Sequence, residues 1–410
     1  MSEDRGFAVS PTTLRSRFAR ALSELYGREV PAYTTLVEVS AEVNADVLAT
    51  RDDAERLGSI RRVTAERHGA IRLGTPDELA QVARIFGACG MYPVGFYDLR
   101  EATPAIPVVS TAFRPVARPE LRENPFRVFT SLLVVDDRRF FDERLEAELR
   151  EFLAARTLFP RELLELADRM ESEHELSIAD ADRFIELATA AFALSPEPVD
   201  RDWYERLEAV SSVAADIGGV ASTHINHLTP RVLDIDELYR RMQSRGIEMI
   251  DRIQGPPRTA PGRTDVLLRQ TSFRALAEPR SFREVDGTIV TDSLRVRFGE
   301  VEQRGVALTP AGRERYDAEG LGGLPDSDAD LHAHDLAYFT RTDAGVLVPI
   351  VYEDFLPKSA AGIFASNLTG EGSSDTSRRG SLRDAAWMQD VLGRTLHDPY
   401  ELYAAERAGA

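Results

Sequence analysis

Apolar residues recur at helical spacing from the start of the chain: Leu14, Phe18, Leu22 and Leu25, then Leu36, Val39, Val43 and Val47. Ser10-Pro11-Thr12-Thr13 precedes the first series, a capping residue and then a proline where its missing N–H costs nothing. Residues 1–60 are therefore expected to be helical. The period then drops to two. Glu66 to Thr75 reads as a strand, with His68 and Arg72 on one face. Thr75-Pro76-Asp77-Glu78 starts a helix carried by Leu79, Val82, Ala83 and Phe86 as far as Gly87 or Gly90. Residues 91–99, 107–113 and 126–135 read as strands, rich in β-branched and aromatic residues and separated by breakers. Residues 61–136 thus make a unit of strand, helix and three strands.

Between 137 and 215 Glu, Arg, Leu and Ala dominate, with stops near Pro160 and Ser195-Pro196. Three or four helices are expected there, packed as a separate layer. At Gly218-Gly219 the first pattern resumes: a strand over 220–228, a helix over 234–245 ending at Gly246, then strands over 247–253, 266–276 and 294–306. The order of the first unit is repeated over 216–308, and each copy opens on a histidine-bearing strand, which points to an internal duplication. Residues 309–410 are less regular. They read as a helix from Thr309-Pro310 through Tyr316, a loop over 320–330, a strand over 346–352, a small-residue stretch over 358–370, a mobile stretch over 373–380 and a last helix near 384–392. The fold class is α+β, two duplicated modules with an added helical layer.

Composition narrows the function. A length of 410 residues supports two or three core-forming units. Hydrophobic and charged contents of 43% and 29% are those of a globular protein in water. A net charge of −18 argues against a nucleic-acid partner, which would demand a basic stripe. The single cysteine, Cys89, excludes a disulfide framework and a multi-cysteine zinc site; its small-residue surroundings suggest a buried, inert thiol. No apolar run is long enough to span a membrane, and the first residues lack the pattern of a signal peptide, so a cytoplasmic location is expected.

Three places offer metal ligands. His68 is one. It and Arg72 would stand about 13 Å apart at about 3.3 Å per residue, which suits a metal and a guanidinium at the two ends of a small dianion. A half-buried strand with both residues inward by chance is the plainer alternative. Thr223-His224-Ile225-Asn226-His227 is the second place. On a strand His224 and His227 face opposite ways, so one of them is structural or on the surface. In the third, Phe298 to Arg304, Glu300 and Glu302 share a face. Two inward carboxylates require a positive partner, a metal or an arginine; otherwise this is a solvated edge. Two histidines and a carboxylate with open positions are the facial triad of non-haem iron(II) oxygenases. His332-Ala333-His334-Asp335, after an acidic loop, is a rival cluster. His174 and His397 read as a surface and a turn residue.

The duplicated unit resembles the vicinal-oxygen-chelate superfamily, in which two such modules curl into one half-open barrel around a metal. Phe298 to Arg304 resembles the iron-binding segment of 4-hydroxyphenylpyruvate dioxygenase, a likeness that selects Glu300 over Glu302. Over most of its length the chain is similar to the bacterial 2-oxoadipate dioxygenase/decarboxylase, or hydroxyglutarate synthase, family. The matching segments are 66–72, 225–231, 298–305 and 352–364.

The resemblance implies iron(II) held by His68, His227 and Glu300, and a substrate carboxylate bound by Arg72. Ser359 and Gln270 would line the pocket; a hydrogen-bonded core glutamine is the other reading of Gln270. Lys358 stands where the family commonly carries an apolar residue, which puts the substrate preference in question. The implied reaction takes a 2-oxo diacid and dioxygen, 2-oxoadipate giving 2-hydroxyglutarate and carbon dioxide, in lysine degradation. A metal-dependent glyoxalase-like lyase or isomerase, a ring-cleaving dioxygenase, or a metal-free binding protein on the same barrel are the competing readings. The oligomeric state is left open.

Overall fold

In the computed structural model the first helix, Pro11–Glu29, starts where the Ser10 hydroxyl accepts a hydrogen bond from the Thr13 amide, with Pro11 in the first turn. A second helix follows, Pro31–Thr50. The residues described are 8–51, 67–260, 263–295, 297–342, 344–367, 374–375, 377–378 and 380–408, and the statements below concern these. The Lys358 side chain and, in the stretch expected to be mobile, residues 373, 376 and 379 lie outside them.

Strands β1 (Arg67–Leu73), β2 (Tyr92–Asp98), β3 (Val108–Arg114) and β4 (Arg127–Leu133) follow the expected order, with the helix Pro76–Ala88 after β1. That helix starts on a capping box in which Thr75 and Glu78 each bond the other's backbone amide. After the helical layer come the two-residue β5 (Val199–Asp200) and then β6 (His227–Pro230). The main sheet has the order β2-β3-β4-β1-β6, with β1 parallel to β4 and antiparallel to β6. β1 is therefore an interior strand, paired on both sides. The core beneath is aromatic. Phe18 packs edge-on to Phe126 and also meets Phe86 and Phe192. Each such buried ring contributes about 1.5–3 kcal/mol.

Several expectations are corrected. The helical layer holds five helices, not three or four: Glu143–Ala155, Arg161–Glu173, Ile178–Ala191, Arg201–Glu208 and Ser212–Gly218. Asp200 and Ser211 cap the last two, starting new helices inside what periodicity reads as one stretch. The strand expected over 220–228 begins only at His227, because the Ile225 amide turns to the Phe192 carbonyl in the helical layer, and backbone pairing with β1 starts where the Asn226 amide bonds the Ala70 carbonyl. Residues 247–253 form no strand: Met249 makes a single bridge to Phe273, the Ile250 amide bonds the Ser272 carbonyl, and Arg274 pairs with Glu248 and Asp251.

The later strands are also shorter. β7 (Leu268–Ser272) is the core of 266–276. An unexpected β8 (Glu278–Arg283) pairs with β9 (Ile289–Leu294) as a hairpin added to β5. Its turn holds Asp286-Gly287, with Gly287 at φ +84°, a hairpin signal that apolar periodicity does not register. The strand expected over 294–306 is broken by the buried Arg297, which pairs with Glu29 and Glu278, and resumes as β10 (Glu300–Arg304). β10 pairs with β7 alone as a named strand, so the second half makes a two-stranded ladder. The sheets are mixed, and among the described residues there is no closed barrel.

In the tail, the helix Asp328–Ala333 starts within the last residues of the expected loop, and the strand over 346–352 shrinks to β12 (Leu347–Pro349), paired with β11 (Phe339–Arg341). The small-residue stretch forms the helix Pro357–Asn367. Ala385–Leu392 is not the last helix, since Pro399–Ala408 follows it. No helix is long and apolar enough to cross a membrane.

Cys89 is buried, and burial pushes its thiol up to about 12. In the unfolded chain it ionises near about 8.5. The folded protein is thus expected to resist a thiol reagent at pH 8 and to react once unfolded; prompt labelling of the native protein would contradict this burial. The sign for stability follows. Between those two values only the unfolded chain loses the proton, so raising the pH through that window costs stability.

Candidate metal centre

Strand geometry places the histidines. Ala70 of β1 lies opposite His227 of β6, and His68 lies opposite Thr229. Alternate residues share a face, so His68 and His227 are diagonal neighbours on it. Their rings meet edge-on at 5.2 Å. The Thr229 hydroxyl sits 3.1 Å from His227 Nδ1. Phe298 stacks on His227 at 5.1 Å, and Phe355 meets His68 at 4.3 Å.

On β10 the same alternation turns Glu300, Glu302 and Arg304 to one side, and all three are buried. Gly299 lets this strand in: a Cβ there would stand 2.0 Å from the Phe273 ring. His68, His227 and Glu300 then offer ligand atoms within 4.8 Å of one another. His227 Nε2 is 3.8 Å from Glu300 Oε2, and His68 Nδ1 is 3.9 Å from Glu300 Oε1.

The two carboxylates have different partners. Glu302 takes the Arg304 guanidinium, at 2.6 Å on one oxygen and 2.8 Å on the other, and lies 3.1 Å from His68 Nδ1. Burial opposes its charge, but Arg304 and His68 prevail and hold its carboxyl below the usual range. Glu300 receives the side-chain amide of Gln270, and no cationic side chain pairs with it among the described residues. Burial, then the neighbouring charge of Glu302, pushes Glu300 up to about 8. Burial also lowers both histidines, His227 further through His68 and Arg72. Two neutral imidazoles and a carboxylate lacking a cation are a donor set for a divalent metal, which would reverse the cost of ionising Glu300. The residues present fit such an ion.

Arg72 is buried on the same face of β1 and acts electrostatically on His227. It forms an ion pair with Asp216. Gln270, on β7, is both a core glutamine and part of the centre, through Glu300. Ser359 is buried at the start of the helix Pro357–Asn367, just beyond Phe355. His224 is the structural histidine of its pair: buried, 3.1 Å from the Asn226 amide and 3.3 Å from Asp216. Burial, partly opposed by Asp216, brings it down to about 4, so it is neutral. His332 and His334 are exposed, and His334 bonds the Asp330 carbonyl at 2.8 Å; neither joins a metal-binding cluster.

Sequence reasoning gave no part to Asp216, Asn226, Thr229, Phe355 and Arg304. Arg304 was within its reach, since alternation from Glu300 puts it on the same face. Asp216 shows only as a lone acid in the small-residue run Ala214-Ala215-Asp216.

A family model described as 2-oxoadipate dioxygenase/decarboxylase matches residues 18–367. The 2-oxoadipate dioxygenase/decarboxylase of Mycobacterium tuberculosis is 58% identical over 406 residues, covering 96% of this chain and 96% of that protein. Hydroxyglutarate synthase from Pseudomonas putida, solved in complex with 2-oxoadipate, is 36% identical with a TM-score of 0.84, over 98% of this chain and 97% of its own. A glyoxalase-superfamily protein from Ralstonia eutropha, 20% identical, shares the fold at a TM-score of 0.55, over 73% of this chain and 86% of its own.

Proposed function

This chain belongs to the 2-oxoadipate dioxygenase/decarboxylase family, and from that premise we propose that it is an iron(II) enzyme converting 2-oxoadipate and dioxygen to 2-hydroxyglutarate and carbon dioxide. The carrying observation is the buried cluster of His68, His227 and Glu300. We read the two halves as vicinal-oxygen-chelate modules, with the second reduced to β6, β7 and β10. The same reading places the enzyme in the cytoplasm and in lysine degradation.

When bound by His68, His227 and Glu300, iron(II) would take the 2-oxo acid as a chelating ligand and pass that acid's electrons to dioxygen. The chain's own part is to hold and orient. Thr229 and Glu302 fix the ring orientations of His227 and His68 through their Nδ1 atoms. Gln270 steadies Glu300. Phe298 and Phe355 keep water from the imidazoles. Arg72 binds the carboxylate remote from the metal, and Ser359 contributes to the pocket. The atoms balance. One oxygen atom of dioxygen enters the new carboxylate as carbon dioxide leaves, the other becomes the hydroxyl, and no second reductant is consumed.

The test is dioxygen uptake by anaerobically iron-loaded protein mixed with 2-oxoadipate, with carbon dioxide counted alongside. Equal amounts of the two are expected. Iron bound without uptake on any 2-oxo diacid would overturn the oxygenase reading in favour of a lyase or isomerase.

A further inference from the structure

The helical layer ends on the helix Ser212–Gly218, whose residues are all buried. Asp216 is the one charged residue in it. Its carboxylate pairs with Nη1 of Arg72, on the interior strand β1. The same Oδ2 accepts the Asn226 side-chain amide at 2.9 Å. Asn226 is itself pinned, with its backbone N–H on the Ala70 carbonyl at 2.9 Å and its own carbonyl accepting the Tyr26 hydroxyl at 2.9 Å. The Thr223 hydroxyl donates to the Arg72 carbonyl at 2.8 Å. Arg72 is thus held at backbone and side chain by the segment that leads into His227.

An arginine loses much rotamer freedom when it binds a carboxylate. One already fixed by a buried partner has lost that freedom beforehand, so less of the binding energy is consumed in ordering it. The partner's negative charge also offsets the guanidinium, so what remains is directional recognition by a fork of N–H donors rather than general attraction of anions. Directional recognition rewards a ligand with a carboxylate at one defined distance from the metal.

We propose that Asp216 is a positioning residue that fixes Arg72, making the site prefer a 2-oxo acid with a second carboxylate over one of equal length without it. This rests on the reading of Arg72 as the carboxylate-binding group. It gives the helical layer a part in substrate choice.

The experiment measures dissociation constants of 2-oxoadipate and 2-oxohexanoate by calorimetry on anaerobic, iron-loaded protein, where no turnover occurs. Wild-type protein is expected to favour the diacid. Asp216→Asn keeps the shape and is expected to narrow that preference about tenfold, with iron content unchanged. An equal loss for both acids, or no change for either, overturns the proposal, because a merely structural role affects both alike. Should Asp216→Asn fail to fold, Asn226→Ala removes the second hold on Asp216. A smaller narrowing, about threefold, then supports the proposal, and an unchanged preference overturns it. Wild-type protein with no preference for the diacid would instead overturn the reading of Arg72, separately from the role of Asp216.

Discussion

His227→Ala is expected to reduce bound iron to background and to abolish measurable turnover of 2-oxoadipate. His227 meets both other members of the cluster: its ring lies 5.2 Å from that of His68, and Nε2 is 3.8 Å from Glu300. Its removal leaves one imidazole and a carboxyl that burial pushes up to about 8. Two such donors do not make a divalent site competitive with water. Loss of an outer-shell partner of a metal ligand costs roughly 10–100-fold in affinity or activity, and loss of a ligand must exceed that. Metal analysis of purified protein, together with dioxygen uptake, checks both halves. Iron retained at full stoichiometry would remove His227 from the centre. The fold should survive, because the backbone pairing of His227 with Ala70 does not depend on the ring.

Arg72→Lys should separate binding from metal. Iron content is expected to stay near wild type, since Arg72 is not among the three clustered residues. Turnover of 2-oxoadipate is expected to fall about 100-fold, the equivalent of the roughly 1.5–3 kcal/mol that a hydrogen bond to a charged group contributes. Lysine preserves the charge but not the planar fork, and its ammonium cannot engage Asp216 and a substrate carboxylate in the same geometry. Steady-state rates at saturating dioxygen give the measurement. Near-normal kcat/KM would take Arg72 out of the substrate site.

The strands and helix between residues 67 and 133 were legible because their signals are local. Thr75-Pro76-Asp77-Glu78 carries its own cap, and the strands around Tyr97 and Phe129 are short β-branched and aromatic runs set between breakers. Glu300 and Glu302 were legible as a same-face pair needing a positive partner, and both kinds of partner have a place here: Arg304 beside Glu302, and a site fit for a metal beside Glu300. The stretch from residue 220 to 306 was less legible because tertiary contacts override propensity there. Thr223-His224-Ile225 has a strand-like composition, yet its side chains serve Arg72, Asp216 and the core rather than a ladder. The pairing of Asp216 with Arg72 joins residues 144 positions apart, and no local pattern reports a contact at that range.

Those long separations also order events during synthesis. His68 Nδ1 finds Glu302 across 234 residues, and the loop closed between them contains the whole helical layer. A nascent chain emerges from its N-terminus, and its segments acquire structure as they emerge. Until Glu300 has left the ribosome the donor set is incomplete, however well β1 to β4 have folded. Capture of an ion by these three residues would therefore come after the ladder of β7 with β10 has closed. From this cluster, intermediates formed before then offer the cell's metal pool only the imidazole pair of His68 and His227, without the carboxylate that completes the set.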